Sequence, residues 1–470
     1  MLSRVDERVD FTGTVFSDPV MFSDVTFRRD VIFSGAVFLS DAMFGTPPAD
    51  QASRVKWRAP GGTSFAADVD FAAAEFRGDL LFEYVLLGGD CNFMRADFHN
   101  ECRIDIRDYW LELAANMDPE EAPDLFHEAD ERSDDRQAVV SFKQARFRDG
   151  AIIELLPGMA SFATAEIGDS VQITISGSLE LDHVAVKHPI AVLADRHPGT
   201  GQPEISSLSG ATIQAPLMVG EGVALHRCRF GGTIGLDRLQ SPAGRLRLTH
   251  LAGRQVLADE IVWRAYHQTR QPRRPVRRML RMPDWVSAAE EIVSEEVEFE
   301  EVEFEEHQPC PAVADPSMIA GLYRQLRQGL EAANNAPGAA DFYYGEMEMR
   351  RSAATGIERP LLALYCLVAG YGTRASRALA TCLAVLTGST ALLRFGPRSL
   401  RSPCSGAACP DWSDYWETFV FLTRWSVSLL PTPEVQGLST MGQAVLIVVR
   451  LLVPLLVALT VIAVRSRIQR

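Results

Sequence analysis

The sequence predicts a mainly β chain: a coiled stack of short strands, followed by an α-helical hairpin and a two-span transmembrane helical region. Three observations predict it. Large aromatic residues recur at alternating steps of five and six through the N-terminal segment, helical periodicity starts only after Pro316, and strongly apolar sequence is confined to the last quarter. At 470 residues the chain exceeds one ordinary compact domain, so a stack with accessory units suits its length.

The aromatic count runs Phe11, Phe16, Phe22, Phe27, Phe33, Phe38 and Phe44, then resumes after an interruption over residues 47–62 as Phe65, Phe71, Phe76, Phe82, Leu87, Phe93, Phe98 and Ile104. Two positions before most of them stands a small apolar residue, as in Val20, Val25, Val31, Ala36, Ala42, Val69, Ala74 and Ala96. A step between five and six fits neither the 3.6 of an α-helix nor the 2 of an open strand. It fits a coil of short straight sides, each turning one large and one small residue inward. Successive coils would then stack at about 4.8 Å, with four sides making a coil of about 22 residues. One coil cannot bury its own interior face, so stability must come from stacking.

In these residues the chain resembles the pentapeptide-repeat family, in the variant where Phe replaces Leu at the central position. The resemblance implies a right-handed quadrilateral pentapeptide-repeat β-helix. Its regular part is expected over residues 9–110. An acidic insertion follows at 111–138, with Asp118, Pro119, Glu120, Glu121 and Asp124. Degenerate coils are expected over 139–262, from Phe142 and Phe147 through Ile153, Phe162, Ile167 and Ile173.

Residues 263–315 read as a solvated linker. Its first half is basic (Arg270, Arg273, Arg274, Arg277, Arg278) and its second acidic, and blocks of like charge repel rather than pack. After Pro316, the residues Ile319, Leu322, Tyr323, Leu326 and Leu330 recur at helical spacing. Asn334, Asn335, Pro337 and Gly338 break the pattern, and Phe342, Tyr343, Met347 and Met349 resume it. The expectation is an αα-hairpin over 316–357.

Residues 358–470 read as the membrane region, with spans near 375–393 and 444–464 that approach the about 20 residues a bilayer crossing needs. The apolar run at 361–370 either lies at the interface or extends the first span. Arg350, Arg351, Arg359, Arg374 and Arg377 precede the first span, and Arg465, Arg467 and Arg470 follow the second. By the positive-inside rule both ends are expected on the cytoplasmic side of the plasma membrane. The intervening loop would then lie outside, where Cys404 and Cys409 either form a small disulfide or stay as two thiols. Residues 1–10 carry charges and no apolar run, so no cleavable signal is expected.

Leu236-Asp237-Arg238-Leu239, Leu322-Tyr323-Arg324-Gln325-Leu326-Arg327, Glu358-Arg359, Gly370-Tyr371-Gly372 and the runs 255–260 and 342–351 are similar to membrane-anchored pentapeptide-repeat proteins of actinobacteria. That likeness brings no biochemical activity with it. The sequence contains no Walker loop, GxGxxG, HExxH or GxSxG, and its nine His are scattered. His226 and Cys228 lack further ligands at metal spacing. No catalytic, cofactor or metal site is therefore expected.

A net charge of −15 disfavours nucleic-acid partners. The partners expected are the lipid bilayer and an unidentified cytoplasmic protein held on the faces of the stack. Two other readings compete with this scaffold. The order span, amphipathic segment, span resembles a pore domain, although nothing like the TVGYG filter follows the middle segment. The acidity also agrees with the gyrase-targeting pentapeptide-repeat proteins, whose β-helix mimics DNA.

Overall fold

Most strands of the N-terminal repeat are two or three residues long and carry a Val, Ala or Phe, because β-branched and aromatic side chains suit a pleated, half-buried surface. The strands Val9–Asp10, Val15–Phe16, Val20–Phe22 and Val25–Phe27 occupy four successive positions. Each then meets a later strand in parallel register: Val9 lies beside Val31, Val15 beside Val37, Val20 beside Ala42 and Thr26 beside Ser64. In the regular N-terminal coils the partners lie 22 residues apart where nothing interrupts them, as Asp70 and Asn92 do, while later coils are shorter, Ala151 lying beside Val171 and Val171 beside Ile190. Four parallel ladders result. The third and fourth merge into one sheet through Leu80–Leu87, which pairs with Ala42–Phe44 by its first half and with Ser64–Phe65 by its second.

The computed structural model describes residues 3–23, 25–45, 63–108, 138–155, 158–195, 202–242, 244–270, 285–292, 314–372, 374–395, 414–427 and 438–468. The whole interruption at 47–62, all but the last residue of the acidic insertion, and residues 271–284 and 293–313 of the linker lie outside these residues. Register nevertheless carries across both gaps in the strand stack. The Phe33 ring lies 4.8 Å from Phe71, and Phe93 lies 5.1 Å from Phe142.

Two compact units divide the chain, residues 1–333 and 334–470. In the first, parallel pairing continues to Leu239–Gln240, well short of residue 262. Thr249–Leu251 and Arg254–Val256 then form an antiparallel pair, and helix α1 covers Ala258–Arg270. Helix α2, Trp285–Ile292, falls inside the segment read as a solvated linker. It packs because Ala289 joins Val256, Ile261 and Ala265 in a shared core, with Trp285 and Ile292 against it. The charge blocks on either side hid this short apolar stripe.

Helix α3, Pro316–Ala332, starts with Pro at its first turn and Asp315 as cap, whose carboxylate accepts from Ser317 N at 3.1 Å. Its stripe of Ile319, Leu322, Tyr323, Leu326 and Leu330 is buried within the first unit. Helix α4, Ala336–Ala353, belongs to the second unit. The segment read as one αα-hairpin is therefore shared between the two units, each helix having its own packing partners.

The second unit continues with α5 (Glu358–Ala369), α6 (Ala375–Phe395), α7 (Tyr415–Val427) and α8 (Thr440–Ile468). Cys382, Leu386, Leu393, Leu422, Leu446, Val449, Val453 and Leu456 form the core where α6, α7 and α8 meet. Among the described residues, two helices are long and apolar enough to cross a membrane, over Ala375–Phe395 and Thr440–Val461. Their outward residues, such as Leu379, Leu383, Ile447, Leu451 and Leu455, are exposed.

Candidate functional site

The interior of the stack is a set of aromatic columns. Phe11, Phe33, Phe71, Phe93, Phe142 and Phe162 stack face to face at 4.6–5.1 Å. Phe16, Phe38, Phe76, Phe98 and Phe147 do so at 4.8–5.2 Å. Phe22, Phe44 and Phe82 make a third column, and Phe27 over Phe65 starts a fourth. Phe27, Phe33, Phe38, Phe44, Phe65, Phe71, Phe76, Phe82, Phe93 and Phe98 are fully buried, whereas Phe11, Phe16 and Phe22, in the first coil, are partly exposed. Among the described residues, the polar groups of this interior include the buried thiols of Cys91, Cys102 and Cys228, which burial pushes well up. What the interior supplies is a rigid support for the outer faces.

The second ladder carries the most organised of those faces. Its outward positions are Val15, Val37, Glu75, Asp97, Arg146 and Glu166. Beside them run Arg77, His99 and Arg148. Arg148 forks onto Asp97 at 2.9 and 2.5 Å, from Nε and Nη2. Arg77 donates to Glu75 at 2.9 Å, His99 Nε2 lies 3.1 Å from Glu75, and Arg146 lies 3.2 Å from Glu166. The hydrogen bond from Arg148 holds the Asp97 carboxyl below its ordinary range, and that from Arg77 does the same for Glu75.

Arg95, Gln144 and Thr164 line one wall of a groove on this face, with Asp97, Arg146 and Glu166 on the other. They are aimed there by a corner repeated in every coil. Gly13, Gly35, Ala73, Arg95, Gln144, Thr164, His183, Gly210 and Gly232 all have φ between 55° and 76°. In each coil an inward residue closes a turn across this position: Thr14 N donates to Phe11 O, Ala74 N to Phe71 O, Ala96 N to Phe93 O and Ala145 N to Phe142 O, at 3.0–3.1 Å. A left-handed third residue is what such a turn requires. Sequence reasoning missed this column because Ala, Arg, Gln, Thr and His occupy it as well as Gly.

Several acidic residues serve the stack itself. Asp68 accepts from Asp90 N at 2.9 Å, Asp41 from Asp79 N at 3.0 Å and Asp90 from Val139 N at 3.0 Å, each tying one coil to the next. Asp70 accepts from Ala72 N and Asn92 Nδ2.

The C-terminal end of the stack is closed by side chains of α1 and α3. Asp259 accepts from Phe230 N at 2.8 Å, and Gln325 Oε1 accepts from Gly235 N and Leu236 N at 2.8 and 3.0 Å. These would otherwise be donors at an open sheet edge. A Cβ on Gly329 would stand 2.7 Å from Asp237 O, so α3 can approach this turn only with glycine there.

Behind the cap, buried Glu260 accepts from Arg254, from Arg264 and, at 2.6 Å, from the Tyr323 hydroxyl, which itself accepts from Leu257 N at 3.0 Å. Burial alone would raise the Glu260 carboxyl, but the two guanidiniums outweigh it and bring it down to about 2. Burial and the neighbouring carboxylate push the Tyr323 hydroxyl well above its usual value.

The second unit has its own buried polar cluster where α4 meets α5. Glu348 accepts from Arg351 at 2.8 Å, from the Tyr371 hydroxyl at 3.2 Å and from the Cys366 thiol at 3.5 Å. Tyr344 edges onto the Tyr371 ring, and the Arg374 guanidinium lies over Tyr344. Burial and Glu348 together raise the Tyr371 hydroxyl. Tyr371 itself has φ 56°, a left-handed conformation costly for an aromatic residue.

Cys404 and Cys409 lie outside the described residues. The structure does not bring His226 and Cys228 into one site: His226 faces Glu204 at 3.4 Å, while Cys228 is buried, which pushes its thiol well up. Among the described residues no group of three or more His, Cys, Asp or Glu could hold a metal. In α7, Trp425 faces Arg450 of α8, whose guanidinium lies 5.7 Å from the ring centre. Comparison with family models, curated proteins and solved structures gives no match to this chain.

Proposed function

We propose that this chain is a membrane-anchored pentapeptide-repeat protein whose right-handed quadrilateral β-helix works as a protein-binding scaffold rather than a catalyst. The observation that carries the reading is the groove of Arg95, Asp97, Gln144, Arg146, Thr164 and Glu166 on a phenylalanine-cored stack. Side chains of both signs stand there at the spacing between coils, on a backbone that parallel pairing holds still. A protein surface of alternating charge complements such a face, and polar rims of this kind set partner and register more than raw affinity.

The mixed signs favour a protein partner over mimicry of a duplex. So does the use of Asp41, Asp68 and Asp90 within the stack, where each carboxylate accepts from a backbone N–H of the next coil. Anchoring is supported by the outward apolar residues of α6 and α8, which water solvates poorly and lipid solvates well. The placement of arginines around the two candidate spans favours cytoplasmic ends at the plasma membrane.

A photo-crosslinking amino acid placed at Arg95, at Thr164 or on another face at Met21 tests this in the full chain in native membranes. The expected result is one shared protein adduct from the two groove positions, absent from Met21 and depleted by Arg146→Glu. Absence of any protein adduct from both groove positions would overturn the reading.

A further inference from the structure

Helix α5 leaves four large apolar side chains in solvent: Ile357 at its N-terminus and Leu361, Leu364 and Leu367 along it, with exposures of 80, 59, 58 and 71%. Spacings of four, three and three place them along one side of the helix. The other side is occupied: Cys366 and Ala369 are buried, and Leu362 and Tyr365 pack with Met347 and Tyr371.

Two facts separate this helix from the span that follows it. Gly370 and Tyr371 both have left-handed backbones, φ 52° and 56°, so the chain turns sharply before α6 begins at Ala375. Twelve helical residues also reach only about 18 Å, short of a hydrocarbon core of about 30 Å. Leu379 and Leu383 of α6, the helix that α5 packs against, are likewise exposed.

We propose that α5 lies flat in the interface of the phospholipid bilayer that α6 and α8 cross, with Ile357, Leu361, Leu364 and Leu367 set into the boundary between headgroups and acyl chains. The occupant of this face is lipid because α5 precedes and packs against a candidate span whose own outward leucines are exposed. Glu348 serves as the clamp: by holding the Tyr371 hydroxyl and the Cys366 thiol it ties the turn and the inner side of α5 to α4, which sets the roll of the stripe. This inference rests on the membrane reading above and fixes the depth of one more element.

Depth-resolved quenching tests it. An environment-sensitive fluorescent amino acid is placed at Leu364 or at Leu451 in the full chain, reconstituted into phosphatidylcholine nanodiscs whose acyl chains carry bromine near the headgroup or near the terminal methyl. The expected result is severalfold stronger quenching of the Leu364 probe by shallow bromine than by deep bromine, with the reverse order at Leu451. A Leu364 probe that neither bromine quenches, beside a quenched Leu451 probe, would overturn the placement of α5 and leave the anchor standing. Stronger quenching at Leu364 by deep bromine would instead make α5 a spanning element and sink the proposal. An unquenched Leu451 probe would remove the membrane reading and this inference together.

Discussion

The two units of this chain both have apolar cores but differ in what they expose. In the strand stack the large rings are inside, and Glu75, Asp97, Arg146, Arg148 and Glu166 stand outside. In the helical unit Leu379, Leu383, Ile447, Leu451 and Leu455 face out, while Thr390, Thr418, Ser426 and Glu348 are buried. The same physics explains both. Apolar side chains gather in columns of rings in the first, whereas in the second they lie both in the core between α6, α7 and α8 and on the outside of two helices apolar enough to cross a membrane. Burial alone therefore does not say which face is functional; the medium around the face does.

The sharpest way to break this comparison is to remove rings from one column. Phe71→Ala is expected to cost about 3–5 kcal/mol, because Phe71 is fully buried between Phe33 and Phe93. Phe11→Ala, at the partly exposed end of the same column, should cost about 1 kcal/mol. Hydrogen exchange of the flanking strands in the full chain measures both. Equal losses would contradict a core whose stability accrues coil by coil.

Removing a buried charge at the cap should rank next. Glu260→Ala strands Arg254 and should cost about 3 kcal/mol or more, read as lost protection in α1 and α3. The same carboxylate sets a pH window. Its folded value, about 2, lies below its ordinary value of 4.5, so its stabilisation is present above about 4.5 and fades as pH falls toward about 2. Acid titration of exchange in α1 should show that fade in the parent and lose it in Glu260→Ala.

Exposed apolar residues in the two units should then respond differently to charge. Leu451→Arg is expected to cost about 2.5–3.5 kcal/mol of membrane integration, measured as the alkali-resistant membrane fraction. Leu39→Arg, on the outside of the stack, should change stability by less than about 0.5 kcal/mol. Similar responses would erase the distinction between the two surfaces. The last effect is a gain. Ala73→Gly removes a Cβ from a left-handed corner and should stabilise the stack by about 0.5–1 kcal/mol, seen as slower exchange at Ala74.

Much of the stack was legible because the spacing of Phe, Ile and Leu is itself the burial pattern: a residue that must face inward every five or six positions writes the coil into the chain. The corner column was not legible. Its requirement falls on the backbone, and Ala73, Arg95, Gln144, Thr164 and His183 meet it without a common side chain. The cap was half legible. Tyr323 and Gln325 lie in a stretch singled out by resemblance and Tyr323 in an apolar stripe, yet their partners Glu260 and Gly235 are far away in sequence. Helix α2 was lost between charge blocks, and the assignment of α3 and α4 to different units could not be read from two adjacent helical patterns.

Local periodicity and composition thus determined on their own the inward rings of the stack, the two helical patterns after Pro316 and the candidate spans, since those depend on which faces each short segment must hide from water. Only the tertiary structure decided which charges share the groove beside Arg146, which side chains close the end of the stack, and that Glu348, Cys366 and Tyr371 meet. Those pairings join residues remote in the chain, and their energies exist only once the backbone has brought the groups within reach of a hydrogen bond.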